Sequence, residues 1–128
     1  MMDARAAVAE LSAALRVVHQ RSLYVTQKSF EKLNGRVAGP GVLLQLVVHD
    51  PLFAWLRPLS QQLAALDEFA AAEEVTRSDL ELAAANIMTL LEAEGAFRAT
   101  YLVYLQAEPD VIVAHAALRQ LLARLAQF

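Results

Sequence analysis

Three histidines, His19, His49 and His115, are the side chains of this sequence best suited to bind a transition metal, because the chain contains no cysteine. Helical bundles that hold two metal ions place a glutamate three residues before a histidine on facing helices. Here those positions carry an arginine, a leucine and an isoleucine. A mononuclear site made by the three histidines stays open, but ligand counting favours structural histidines. We therefore expect no metal site and no cofactor.

No catalytic residue can be assigned from spacing. Glu94 and Arg98 stand four residues apart within one predicted helix, which suits an ion pair. The carboxylate is either a buried acid–base group or part of an exposed pair beside Gly95, and we favour the exposed pair. No serine stands in a Gly-x-Ser-x-Gly elbow, and the glycines lack the spacing of a nucleotide-binding loop. The absence of cysteine excludes thiol catalysis and disulfides.

A short aromatic stretch provides the candidate contact residues Phe53, Trp55 and Arg57. Tryptophan and arginine are enriched at binding hot spots. His115 lies in phase with the apolar residues of the last predicted helix, so it faces inward and could join these three in a pocket. Phe53 and Trp55 are out of phase with the leucines around them, so one neighbouring helix cannot cover every apolar side chain. Either the segment is covered on two sides, which we favour, or Trp55 is available to a partner.

This stretch belongs to the segment GPGVLLQLVVHDPLFAWLRPLS, residues 39–60. Its glycines and first proline break the chain, and a short buried helix is predicted over residues 42–48. Asp50 followed by Pro51 predicts a helix start with Asp50 as the N-cap. Pro58 falls inside the apolar stripe that follows, which predicts a kink near that residue. The stripe consists of leucines and one alanine at steps of three and four: Leu52, Leu56, Leu59, Leu63, Leu66 and Ala70.

The same segment, written as the pattern GPGxLLQLxxxDPxFAWLRPLS, resembles one in small all-helical bacterial proteins of uncharacterised function. The resemblance covers about the first half of the chain. It implies a single compact helical domain, and it brings neither an activity nor assigned site residues.

Apolar residues recur with helical period outside this segment as well. We predict main helices over residues 3–33, 51–70, 78–107 and 110–127. Together with the short helix they make an all-α fold, a compact antiparallel bundle of four main helices plus one short helix, the second main helix being kinked. A chain of this length fits one domain, so residues 1–128 are predicted to form a single helical-bundle domain.

Composition narrows the function classes further. Apolar residues make up 57% of the chain and charged residues 20%, which argues against disorder. A net charge of −3 gives no electrostatic reason to expect nucleic acid. The uncharged apolar run over residues 82–91 is too short to span a bilayer, and charges interrupt the N-terminal region where a signal peptide would be apolar. We expect a cytoplasmic protein that binds neither nucleic acid nor membrane.

The last predicted helix has a wider apolar surface than one seam requires, because Ile112, Leu121 and Phe128 lie outside the seam. Exposed contiguous apolar surface commonly marks an interface. We therefore expect a twofold homodimer with these residues at the contact, unless another helix of the same chain covers them. The resulting hypothesis is a non-enzymatic interaction or structural module. The alternative is a small-ligand-binding or enzymatic bundle with a pocket near Trp55, Arg57 and His115.

Overall fold

The computed structural model describes residues 3–127, and the regular secondary structure of that part of the chain is entirely helical. The all-α prediction is therefore confirmed. In chain order the elements are α1 (Ala4–Asn34), α2 (Pro40–His49), a 3₁₀ segment (Pro51–Leu56), α3 (Arg57–Ala71), α4 (Arg77–Glu92), α5 (Ala96–Ala107) and α6 (Pro109–Leu125).

Helix α1 has the bounds that the sequence predicts. The Asp3 side chain accepts a hydrogen bond of 2.7 Å from the Ala6 backbone N–H and caps the first turn. Gly35 ends the helix with φ 82°, a left-handed conformation that suits glycine. Its N–H donates to the Glu31 carbonyl over 2.9 Å. The buried side of the helix consists of Ala7, Val8, Leu11, Leu15, Val18, Ser22, Val25 and Thr26.

Asp50 caps the next segment as predicted, because its carboxylate accepts a hydrogen bond of 2.9 Å from the Leu52 N–H. The segment is a 3₁₀ helix, however, and the α-helix begins only at Arg57 with Pro58 in its first turn. A change of helix type thus stands where a kink within one α-helix was predicted. Proline in a first helical turn is tolerated because its missing N–H has no partner there.

The 3₁₀ geometry changes which residues face the core. With three residues per turn, Phe53 and Leu56 lie one turn apart on the same face, and both are at most 1% exposed. Leu52, which the sequence places in the seam, is 38% exposed. Its assignment to the buried stripe is wrong because it assumed 3.6 residues per turn.

One predicted long helix is divided into α4 and α5 by Ala93, Glu94 and Gly95. Gly95 has φ 157°, a conformation that residues with side chains rarely adopt. The single helix over residues 78–107 is therefore a wrong prediction. Glu94 is exposed and lies outside both helices, so the four-residue spacing no longer sets it beside Arg98 as on one helix.

Helix α4 begins with a capping box, in which the Thr76 hydroxyl accepts from the Asp79 N–H at 3.1 Å. The Asp79 carboxylate accepts in turn from the Thr76 N–H at 3.0 Å. The N-cap of α4 is therefore Thr76, although Ser78 and Glu81 also have the spacing of a capping box.

Helix α2 lies on the surface of the domain. Leu43, Leu46 and Val47 are partly buried and pack against the core, on the face that the sequence predicts. None of its residues is fully buried, so the expectation of a buried helix is wrong. Val42, Leu44 and Val48 on its other face are exposed.

Helix α1 is the central element. It packs most extensively against α6 and α3, and it also contacts α4 and the 3₁₀ segment. Helix α5 packs on α6, α4 and the 3₁₀ segment. Helices α4 and α6 contact each other only sparingly. This arrangement closes one side of α1 and leaves a gap between α4 and α6 on another.

Candidate functional site

Trp55 is the centre of an aromatic cluster between the 3₁₀ segment and α5. Its ring stacks on Tyr104 with centroids 5.3 Å apart, and it lies 5.7 Å from Phe97 and 6.3 Å from Tyr101. Its indole N–H donates to the Thr26 hydroxyl of α1 over 3.1 Å. These contacts lie within the chain and correspond to the internal cover that the sequence favours. The cover comes from α5, which sequence reasoning did not name.

The buried hydroxyls beneath Trp55 differ in their hydrogen bonding. Thr26 donates to the Ser22 carbonyl over 2.8 Å and accepts from Trp55, so its hydroxyl acts as both donor and acceptor. Ser22 Oγ is buried and has no hydrogen-bond partner. Buried polar groups usually have hydrogen-bond partners, so the unpaired Ser22 hydroxyl lowers the stability of the fold.

Phe53 and Arg57 are not brought to the same place as His115. Phe53 is 0% exposed and packs against Phe30 with ring centroids 5.7 Å apart, so the folded chain offers none of its surface to a ligand. Arg57 is exposed and donates to the Val48 carbonyl over 3.2 Å, which ties α3 to α2. Of the four candidate contact residues, Trp55 and His115 each have their ring against that of Tyr101.

His115 and Tyr101 form a hydrogen-bonded pair between α6 and α5. The Tyr101 hydroxyl lies 2.8 Å from His115 Nδ1. Burial, and then the charge of Arg119, lowers the pKa of His115 below its ordinary value. Burial raises the pKa of Tyr101 above its ordinary value, so its hydroxyl stays protonated. At neutral pH both partners are uncharged.

A cavity of about 430 Å³ opens beside this pair, where the end of α4 meets α5 and α6. Its polar side chains are Glu92, Arg98, Tyr101, His115 and Arg119. Arg119 donates to the Glu92 carboxylate over 2.7 Å. Arg98 is partly buried and has no hydrogen bond or ion pair within residues 3–127. The apolar part of the lining consists of Leu91, Leu102 and Leu105. We call this cavity the His115 pocket.

A second opening, the α4–α6 groove, occupies about 440 Å³ between those two helices. Its lining comprises Arg77, Leu80, Glu81, Ala84, Ala85 and Met88 of α4 with Arg119, Leu122, Ala123, Leu125 and Ala126 of the α6 region. Arg119 lines both openings. The sequence signal for this groove is the pair of alanines on each helix. Composition alone does not distinguish these alanines from the others in the chain.

The three histidines lie on different helices and have different surroundings. His19 on α1 shares a hydrogen bond of 2.9 Å with the Ser60 hydroxyl on α3. Burial, and then Arg16, lowers its pKa. His49 is exposed at the end of α2. Among residues 3–127, no three histidine, aspartate or glutamate side chains lie close enough to share a metal ion.

The predicted interface residues have different positions. Ile112 is 44% exposed, and its neighbour Val113 is 70% exposed. Leu121 is 6% exposed, so it belongs to the core and has little surface left for a partner. The rest of the chain covers Leu121, which is the alternative to a dimer contact that the sequence allows. Phe128 lies outside the described residues.

Comparisons with protein-family models, with curated proteins and with solved structures give no match for this chain. The resemblance of residues 39–60 to small bacterial proteins stays a prediction. Between residues 3 and 127, no helix is both long and apolar enough to cross a bilayer.

Proposed function

We propose that this protein is a non-enzymatic association module that forms a twofold homodimer through the α4–α6 groove. The observation that carries the proposal is the groove itself. Helices α4 and α6 flank it, contact each other little, and leave apolar side chains accessible between them. Cytoplasmic location and antiparallel packing of neighbouring helices, both expected from the sequence, are part of the same proposal.

The walls of the groove are suited to a helix. Ala84 and Ala85 on one wall and Ala123 and Ala126 on the other are small, while Met88 supplies adaptable apolar surface. Helix axes approach within about 8–10 Å of one another depending on the side chains at the contact, and alanines allow the short end of that range. A helix of a second copy could therefore lie in the groove without displacing the core.

The charges around the groove favour a second copy of the same chain over a strongly charged partner. Arg77 pairs with Glu81 at 3.2 Å, and Arg119 pairs with Glu92 at 2.7 Å. Both signs thus alternate along one surface. A twofold contact places a surface against itself, so it requires this kind of self-complementarity.

Ile112 extends this surface along α6. It lies on the same face of the helix as Arg119 and Ala123, at helical spacing. Its exposed apolar side chain would enlarge the contact beyond the groove. This retains the predicted role of the last helix and of Ile112, with the alanines of the groove in place of Leu121.

Native mass spectrometry of the purified protein tests the proposal against the alternative of a ligand-binding bundle. We expect a main species of two chains. A main species of one chain would overturn the proposed function, and a stoichiometric organic ligand on that single chain would favour a ligand-binding bundle.

A further inference from the structure

We propose that the His115 pocket binds a small monocarboxylate with an apolar body, held by Arg98 through its carboxylate. Arg98 lines the pocket, is partly buried, and has neither a hydrogen bond nor an ion pair in the described part of the chain. A guanidinium carries five N–H donors in a planar fork that matches a carboxylate. The proposal does not depend on the dimer.

The charge of the pocket matches a single negative charge. Arg98 and Arg119 contribute two positive charges, and Glu92 already neutralises Arg119 through the 2.7 Å ion pair. His115 is neutral at pH 7 because its pKa is lowered. One positive charge remains for the ligand. A carboxylate satisfies it, whereas a doubly charged phosphate would leave negative charge uncompensated beside Glu92.

The His115–Tyr101 pair supplies a further donor whichever way its hydrogen bond runs. The neutral pair holds two exchangeable hydrogens, one on the imidazole and one on the hydroxyl, and the 2.8 Å bond between them uses only one. If Tyr101 donates to Nδ1, the ring keeps its hydrogen on Nε2. If Nδ1 donates, the Tyr101 hydroxyl hydrogen is left over. In both cases one N–H or O–H is left to bind an oxygen acceptor.

The rest of the lining defines the body of the ligand. Leu91, Leu102 and Leu105 are apolar, and the Tyr101 ring adds an aromatic wall. A volume of about 430 Å³ lies within the range of small-molecule sites. A short or medium aliphatic chain would bury its methylene groups against the leucines. Ligands that are polar throughout would leave this surface without a partner.

Isothermal titration calorimetry with sodium hexanoate, hexan-1-ol and sodium phosphate as probes tests the proposal. We expect hexanoate to bind with a dissociation constant of about 1 mM or below, as small ligands with one charged anchor do. Hexan-1-ol keeps the chain but lacks the charge, so it should bind at least about tenfold more weakly. Phosphate should also bind more weakly than hexanoate. Trp55, which lies 6.3 Å from Tyr101, provides a fluorescence signal for the same titrations.

Arg98→Gln is the decisive variant, and Arg21→Gln is the matched control because Arg21 is exposed on α1. Arg98→Gln should weaken hexanoate binding about tenfold or more while leaving hexan-1-ol binding unchanged. Arg21→Gln should bind hexanoate like the natural chain. Circular dichroism of both variants checks that the helices are intact.

Three results would overturn the proposal. The first is no binding of hexanoate up to about 10 mM, well above the expected constant. The second is equal binding of hexanoate and hexan-1-ol, or tighter binding of phosphate. The third is a folded Arg98→Gln variant that binds hexanoate as well as Arg21→Gln does.

Discussion

The two sides of α1 are packed in different ways. Against the 3₁₀ segment and α3, large side chains fill the space, with Phe53 fully buried and the Trp55 indole bonded to Thr26. Towards α4 and α6, alanines line an open groove, and Arg98 next to it has no partner within the described residues. The first side holds the fold together, while the second leaves surface and donors for other molecules.

Because of this difference, substitutions on the two sides of α1 should affect different properties of the protein. A close-packed region loses free energy with every deleted methylene, because little relaxation is available. Small exposed side chains in a groove contribute little to folding, so changes there should affect association more than stability. The expected effects of substitution therefore differ between the two sides.

Phe53→Ala should give the largest loss of stability, about 3–5 kcal/mol, because it leaves a cavity in the closed side. The neighbouring Leu52→Ala is the matched control, since Leu52 is 38% exposed, and it should change stability by no more than about 0.5 kcal/mol. Urea denaturation of both variants measures the two values. Equal losses would mean that Leu52 is as buried as Phe53 and would contradict the 3₁₀ alignment.

Thr26→Val should destabilise the protein by about 1 kcal/mol, because it leaves the Trp55 indole N–H without its acceptor. Ser22→Ala removes a buried hydroxyl that has no partner, so it should be neutral within about 0.5 kcal/mol or stabilising. The two variants delete buried hydroxyls one turn apart on α1. Denaturation midpoints that rank them in the opposite order would show that the hydrogen bonding described beneath Trp55 is wrong.

The smallest effect expected is a pH dependence from one histidine on each side. Burial lowers the pKa values of His19 and His115 below 6.5, so the unfolded chain binds protons more readily than the folded one. Their contribution to stability is full above pH 6.5, declines as the pH falls through 6.5, and levels off below the folded-state values.

Urea denaturation between about pH 7.5 and about pH 5 measures this decline. His115→Gln should make it shallower, because it removes one of the two groups with a lowered pKa. A stability that rises as the pH falls through this window, or a decline that His115→Gln does not reduce, would contradict the assigned direction.

The parts of the fold that the sequence predicts are those with a long, regular 3.6-residue period. The buried faces of α1 and α6 follow directly from such a period, and so does the inward position of His115. The sequence does not predict the 3₁₀ segment, because its apolar residues, Leu52 and Leu56 among them, also fit an α-helical spacing. The sequence does not predict the break at Gly95 between α4 and α5, because many helices tolerate one glycine inside an apolar stripe.

The two openings could not be predicted, because they depend on distances between helices that the pattern of one helix does not contain. The four-residue spacing predicts an ion pair between Arg98 and Glu94. The break before α5 leaves Glu94 outside the helix that carries Arg98. Tyr101 and His115 meet because the chain turns between α5 and α6, which brings residues 14 apart within 2.8 Å. Sequence periodicity predicts the inward position of His115 but does not pair it with a residue of another helix.

In the proposed dimer, the α4–α6 groove joins two copies of the chain. Ala123→Glu puts a bulky charge into the groove at a position that is exposed in the single chain, so the fold should be retained. Ala64→Glu, at an exposed position of α3, is the matched control. Sedimentation equilibrium at about 50 μM, above the micromolar dissociation constants of many stable interfaces, should give the mass of two chains for the natural protein and for Ala64→Glu, and of one chain for Ala123→Glu. A natural protein that sediments as one chain, or a folded Ala123→Glu that still sediments as two, would contradict the account.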